Sequence, residues 1–101
     1  MELTQEIITT ILAPILIPHN INPEFSVIIG EDQKPDFTKD FRIILATNEF
    51  VYAYLLVFPN EQLVFLMEAS QGKALYKGDS FEEACQLLKE SLKSPSPILP
   101  N

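Results

Sequence analysis

The sequence predicts an α+β fold in which an antiparallel sheet of four to five strands carries an N-terminal and a C-terminal helix on one face. Residues 41–70 contain three apolar, β-branched and aromatic runs that are separated only by short polar segments, which is typical of a β-meander. Residues 3–13 and 81–93 instead place apolar residues at spacings of three and four, which indicates two amphipathic helices.

The first helix is predicted over residues 3–13, and Pro14 and Pro18 are expected to stop or kink it, because a proline ring removes a backbone donor and obstructs the preceding turn. The segment from Ala13 to Pro23 contains three prolines and is interpreted as an extended connection that crosses an edge or end of the sheet. A strand is predicted from Phe25 to Gly30, and the charged loop 31–40 then leads into the meander.

The turns of the meander predict its register. A two-residue turn at 48–49 pairs Leu45 with Tyr52, and a four-residue loop at 59–62 joins the second strand to the third. This register places a large aromatic set on one face of the sheet, since alternate side chains point the same way: Phe41, Ile43, Leu45, Tyr52, Tyr54, Leu56, Phe58, Leu63, Phe65 and Met67.

The opposite face is predicted to be apolar as well, but built from smaller side chains with two charges. Its main residues form a candidate interface: Arg42, Ile44, Ala53, Leu55, Val57, Leu66 and Glu68. Two helices of about 10 Å diameter cover about four strands, and therefore only one face. We expect them to cover the aromatic face, which leaves the candidate interface to the proline-rich connection or to a partner.

A short edge strand is predicted over Ala74 to Lys77, followed by the C-terminal helix. Ser80 and Glu83 form a capping box, in which each side chain is expected to accept a hydrogen bond from the other residue's backbone N–H. Residues 94–101 are rich in proline and are predicted to form a flexible tail, outside a single domain of residues 1–93.

Composition narrows the classes of function. The chain has 101 residues and a formal net charge of −7, which opposes binding to nucleic-acid phosphates or to anionic membranes. A single cysteine excludes an internal disulfide, and no basic residue precedes Lys34, which argues against a secretory signal. We therefore expect a cytoplasmic protein that has neither a nucleic-acid nor a membrane partner.

No motif in the sequence requires a particular reaction, cofactor or metal ion. His19 is the single histidine, and no second ligand stands at metal-site spacing from it. Cys85 lies on the apolar side of its predicted helix, where burial makes a thiol unreactive. The acidic loop 31–40 lacks the residue spacing of a calcium loop. We expect no catalytic site, cofactor or metal site.

Two hypotheses of function follow. The first is a small non-enzymatic interaction or regulatory module, of adaptor, chaperone or inhibitor type, that binds a protein partner or a second copy of itself through the candidate interface. Under this hypothesis, Leu55→Lys or Leu66→Lys abolishes association and leaves the fold intact. The second is a small-molecule-binding protein or enzyme with a pocket between the sheet and the Pro14–Pro23 connection, in which His19 and a carboxylate supply the acid–base groups. A nucleic-acid mimic ranks last, because the carboxylates are scattered along the chain.

Overall fold

In the computed structural model, which describes residues 3–93, five strands form one antiparallel sheet in sequential order, and both helices pack on the same face. The predicted fold class is therefore confirmed. The predicted tail, residues 94–101, lies outside the described residues. The helices and strands have the following bounds: α1 Gln5–Leu16, β1 Asn22–Ser26, β2 Phe41–Ala46, β3 Val51–Phe58, β4 Leu63–Glu68, β5 Ala74–Gly78 and α2 Phe81–Lys93.

Helix α1 is longer than predicted, because Pro14 does not end it. The proline lies near the end of the helix, so its missing N–H removes only the hydrogen bond to the carbonyl of Thr10. Continuing past it buries Leu16, which is 1 % exposed. Burial of this last turn outweighs the hydrogen bond lost at Pro14. At the other end of α1, the Thr4 hydroxyl caps the N-terminus by accepting a hydrogen bond from the Ile7 N–H at 3.1 Å.

The segment after α1 is compact, and the prediction of an extended connection is wrong. A 3₁₀ turn spans Ile17–His19, and Asn20 then takes a left-handed φ of 58° that reverses the chain into β1. Strand β1 starts and ends earlier than predicted. Residues 27–30 lie beyond it, because its partner strand begins only at Phe41.

A β-bulge shifts the predicted register between β2 and β3 by one residue. The residues on either side of the predicted turn at 48–49 are hydrogen-bonded to each other, so the turn itself is correct. Beyond Ala46, however, Tyr52 enters as an extra residue, and Leu45 pairs with Ala53 instead. The register between β3 and β4 is as predicted. A one-residue shift moves β2 to the opposite face relative to its neighbours.

The helices consequently cover the face that was expected to be free. The buried sheet residues beneath them are Phe41, Ile43, Leu45, Ala53, Leu55, Val57, Val64 and Leu66. The buried helix residues above them are Ile8, Leu12, Leu16, Phe81, Ala84, Cys85 and Leu88. The expectation that the helices cover the aromatic face is wrong, because the bulge adds the three bulky β2 side chains to the smaller residues of β3 and β4. That combination gives the second face enough apolar volume to form the core.

The N-terminus of α2 carries a modified form of the predicted capping box. The Ser80 hydroxyl accepts a hydrogen bond from the Glu83 N–H at 3.1 Å, as predicted. The Ser80 N–H donates to the Tyr76 hydroxyl at 3.2 Å, and this hydroxyl donates to the Glu83 carboxylate at 3.1 Å. Burial raises the pKa of Tyr76, and the negative charges of Glu83 and Asp79 raise it further against the opposing Ser80 N–H. The protonated hydroxyl therefore links β5 to the helix.

Candidate functional site

The sheet face opposite the helices, here called the open face, carries a continuous group of large apolar side chains. Its apolar centre consists of Ile44, Tyr54, Leu56, Phe58, Leu63, Phe65 and Met67. Each of these residues is half-buried, and none belongs to the core or packs against it. Side chains on neighbouring strands contact one another and so reduce each other's exposure to water. The Phe58 and Phe65 rings, for example, pack edge to face with their centroids 5.9 Å apart.

The charged residues of the open face lie around this apolar centre. Glu24 pairs with Ile44 from edge strand β1, and Lys77 pairs with Phe65 from edge strand β5. The Lys77 ammonium lies 5.9 Å from the centroid of the Phe65 ring, within the range of a cation–π contact. Arg42 contributes a second cation from β2. The open face therefore combines an apolar centre with a carboxylate on edge strand β1, a guanidinium on the neighbouring strand β2 and an ammonium on edge strand β5.

The predicted interface residues separate onto different surfaces. Four of the seven, Ala53, Leu55, Val57 and Leu66, are core residues beneath the helices, so their prediction as an interface is wrong. Arg42 and Ile44 lie on the open face. Glu68 pairs with Ala53 and therefore lies on the helix-covered side, so Arg42 and Glu68 do not flank a common surface. Sequence reasoning assigns the residues of the apolar centre other than Ile44 to the core, and no residue type marks the bulge that reverses this assignment.

A polar depression of about 500 Å³ lies where the 3₁₀ turn meets the β2–β3 turn, which is the region predicted to hold a ligand pocket. It is lined by His19, Asn20, Asn22, Thr47, Asn48, Glu49 and Phe50. All of these residues except Thr47 are exposed. Small-molecule sites instead enclose most of the ligand surface within mainly apolar walls. The depression brings His19 and Glu49 to one place but does not enclose them.

A smaller groove of about 230 Å³ adjoins the open face at the β3–β4 turn. Phe58 and Leu63 line it from the open face, Leu3 and Phe37 line it from the core side, and Asp79 supplies a carboxylate. Its volume is below the roughly 300 to 1,000 Å³ of pockets for small ligands. The groove therefore extends the apolar surface around the end of the sheet.

Within residues 3–93, no group of three or more histidine, cysteine, aspartate or glutamate side chains is arranged to hold a metal ion. In the acidic loop, the side chain and the backbone N–H of Thr38 hydrogen-bond to the Asp36 carboxylate and hold its pKa below the usual value. Asp36 therefore stabilises its own turn. The same range contains no helix that is long and apolar enough to cross a membrane.

Cys85 is buried in α2 at 1 % exposure. Because its thiol is buried, we expect the free energy of unfolding to decrease at alkaline pH. Burial, with a smaller contribution from Glu82, raises the pKa of the thiol from 9.0 to about 12. Above pH 9 the unfolded thiol ionises while the folded thiol stays protonated. The stabilising contribution is therefore full below pH 9 and is lost as the pH rises to about 12, by about 1.4 kcal/mol per pH unit.

Urea unfolding of the wild type and of Cys85→Ala at several pH values measures this contribution. The free energy of unfolding of the wild type is expected to fall more steeply above pH 9 than that of the variant. Tyrosine and lysine ionisation affects both proteins equally, so the difference between them isolates the thiol. A difference that is independent of pH would contradict the prediction.

The open face provides a surface that another molecule can contact. The described residues that form it include no histidine, no cysteine and no pair of carboxylates. Its arrangement suits the exclusion of water against another apolar surface. No known protein family, curated protein or solved structure is detectably similar to this chain.

Proposed function

We propose that this chain is a small non-enzymatic interaction or regulatory module that binds a protein through the open face. The observation that supports this function is the continuous apolar centre of seven large side chains on three adjacent strands, on the face that the helices leave free. A sheet wetted on one side normally alternates apolar with polar residues, whereas these strands are apolar on both faces. Large apolar patches of this kind usually mark protein contacts.

The composition of the open face also resembles that of protein interfaces. Aromatic residues and methionine are enriched in the buried centres of interfaces, and the centre here contains Tyr54, Phe58, Phe65 and Met67. Charges belong at the rim, where they orient a partner more than they strengthen its binding. Glu24 and Lys77 occupy such positions on the two edge strands.

The composition of the chain supports a protein partner in the cytoplasm. The net charge of −7 disfavours a phosphate backbone or an anionic membrane as the partner. The single cysteine is buried and free, so nothing in the described fold depends on an oxidising compartment. Adaptor, chaperone and inhibitor roles all require a contact surface and no reacting group.

The test places a photo-crosslinking phenylalanine analogue at Phe65, in the apolar centre, within cells of the source organism. Irradiation is expected to trap a protein, either a second copy or another chain, because this side chain lies where the partner docks. Adding Leu56→Lys is expected to reduce the product by about tenfold or more, which corresponds to roughly 1.4 kcal/mol of lost binding.

Leu87 provides the matched control position, because it is also apolar but lies on α2 at 38 % exposure. The analogue at Leu87 is expected to give no product that Leu56→Lys removes. If the Phe65 and Leu87 positions yield the same products, or if the Phe65 product is insensitive to Leu56→Lys, the open face is not the binding surface.

A further inference from the structure

We infer that the partner of the open face inserts an arginine side chain into the groove at the β3–β4 turn, where its guanidinium pairs with the Asp79 carboxylate. The inference rests on the proposed function and states the chemistry of the partner. The aliphatic stem of the arginine lies between the apolar walls of the groove. Three features of the groove support this occupant: its size, its aromatic walls and its charge.

The groove has the size and the position of a site for one side chain. Its volume of about 230 Å³ is below that of pockets for small molecules. It is continuous with the open face, because Phe58 and Leu63 belong to both. The residues that contribute most to protein binding are anchors that fill a pocket on the partner. A protein on the open face therefore reaches the groove with a single side chain.

The aromatic walls of the groove are held in place by other rings. On the core side, Phe37 packs edge to face against Phe41 with the ring centroids 4.9 Å apart, and against Phe25 at 6.1 Å. On the side of the open face, Phe58 packs edge to face against Phe65. Because these walls are preformed, less side-chain entropy is lost when a partner binds. Aromatic faces also stack favourably with a guanidinium.

Asp79 gives the groove its charge. It is the one ionisable residue among the described residues that line the groove, and it is exposed. The hydrogen bonds that cap α2 join Tyr76, Ser80 and Glu83, and they do not use the Asp79 carboxylate. A carboxylate beside apolar walls suits a side chain that has an aliphatic stem and a cationic end. Arginine is favoured over lysine, because a guanidinium binds a carboxylate through two hydrogen bonds and because interfaces are enriched in arginine and depleted of lysine.

The other charges of the open face define the rest of the partner surface. Arg42 and Lys77 lie in the next row of side chains, about 7 Å along the strands from Phe58. This distance approaches the screening length of about 8 Å at physiological salt, so the two cations weaken the attraction of Asp79 for a guanidinium without cancelling it. Glu24 lies in the row beyond. The partner is therefore expected to present carboxylates to the middle row and cations to the rows on either side.

An NMR titration of the isotopically labelled full chain tests the groove with two probes. N-acetyl-arginine N-methylamide carries the guanidinium, and N-acetyl-citrulline N-methylamide has the same shape without the charge. The arginine probe is expected to shift the amide signals of Gln62, Leu63 and Asp79, which line the groove. It is expected to bind about threefold or more tightly than the citrulline probe. Equal affinities, or shifts concentrated in the acidic loop 31–40, would overturn the inference.

Asp79→Asn removes the charge and keeps the size of the side chain, so the ratio of the two affinities is expected to fall to about one. Glu49→Gln is the matched control, because it removes the same charge from an exposed residue in the turn at the opposite end of β3. The ratio is expected to stay at its wild-type value in this control. The spectra report whether each variant is folded, and the comparison of the probes on the wild type depends on neither variant.

Crosslinking from Phe65 tests whether the partner uses the groove. Asp79→Asn is expected to reduce the product by about threefold or more, whereas Glu49→Gln is expected to leave it unchanged. A product that is insensitive to Asp79→Asn would overturn the arginine contact, while the proposed function would stand. If Phe65 traps nothing, the proposed function is wrong and the inferred contact falls with it, whatever the groove binds.

Discussion

Leu55→Lys is expected to prevent folding, whereas Leu56→Lys is expected to fold and to lose association. Leu55 is 0 % exposed, and no polar or charged residue is buried within residues 3–93, so the ammonium would have no partner in the core. An unpaired buried charge costs several kcal/mol. Small domains have total stabilities of about 5 to 15 kcal/mol, so this single change approaches the whole margin.

Leu56 is the matched position, because it is the next residue of β3 and points to the open face. A lysine there can extend its ammonium into water while its methylenes stay on the sheet. Its cost to the free energy of unfolding is expected to be about 1 kcal/mol or less. Under the proposed function, however, the same ammonium would be buried against the apolar surface of a partner, so association is expected to be lost.

Circular dichroism with urea unfolding tests the folding of both variants, and photo-crosslinking from Phe65 tests the association of Leu56→Lys. The structure replaces the expectation from sequence alone, in which Leu55→Lys abolishes association and leaves the fold intact. A cooperative unfolding transition for Leu55→Lys, together with loss of folding for Leu56→Lys, would mean that the helices cover the other face.

Phe81→Ala is expected to destabilise the protein by about 3 to 5 kcal/mol, the range for aromatic truncation in a core. Phe81 is the first residue of α2, is 0 % exposed and packs in the core cluster. Its loss leaves a cavity at the point where the capped helix N-terminus meets the sheet. The midpoint of urea unfolding is expected to fall accordingly.

Phe50→Ala is the control for this substitution, because it removes the same side chain from the β2–β3 turn, where Phe50 is 57 % exposed. Surface changes of this kind usually stay within about 0.5 kcal/mol. Equal destabilisation by the two variants would show that α2 is not packed against the sheet as described.

Several features of the fold follow from local signals in the sequence. The capping box at Ser80 predicted the start of α2, and the turn at 48–49 predicted the hairpin of β2 and β3. Pro14 lies inside α1, although the sequence predicts that the helix stops or kinks there. A proline ends a helix when the lost hydrogen bond and steric clash are uncompensated, but here the following turn buries Leu16 in the core.

The candidate site illustrates the limit of such signals. Sequence reasoning places Phe65 and Leu56 on one face of the sheet, but it assigns them to the core and assigns the covered residues Leu55 and Leu66 to the surface. Both faces of β3 and β4 are apolar, so hydrophobic alternation cannot distinguish them. The choice depends on which face gains the side chains of β2.

The sequence by itself determined the class of fold, the order of the elements, the register of β3 against β4, and the presence of more apolar sheet surface than two helices can cover. Only the tertiary structure decided which face the helices bury. That decision depends on the bulge at Tyr52, where one extra residue joins Phe41, Ile43 and Leu45 to the face of Leu55. A bulge is favoured by the packing of the whole core and not by the residues beside it, so the surface left open for binding is a tertiary property.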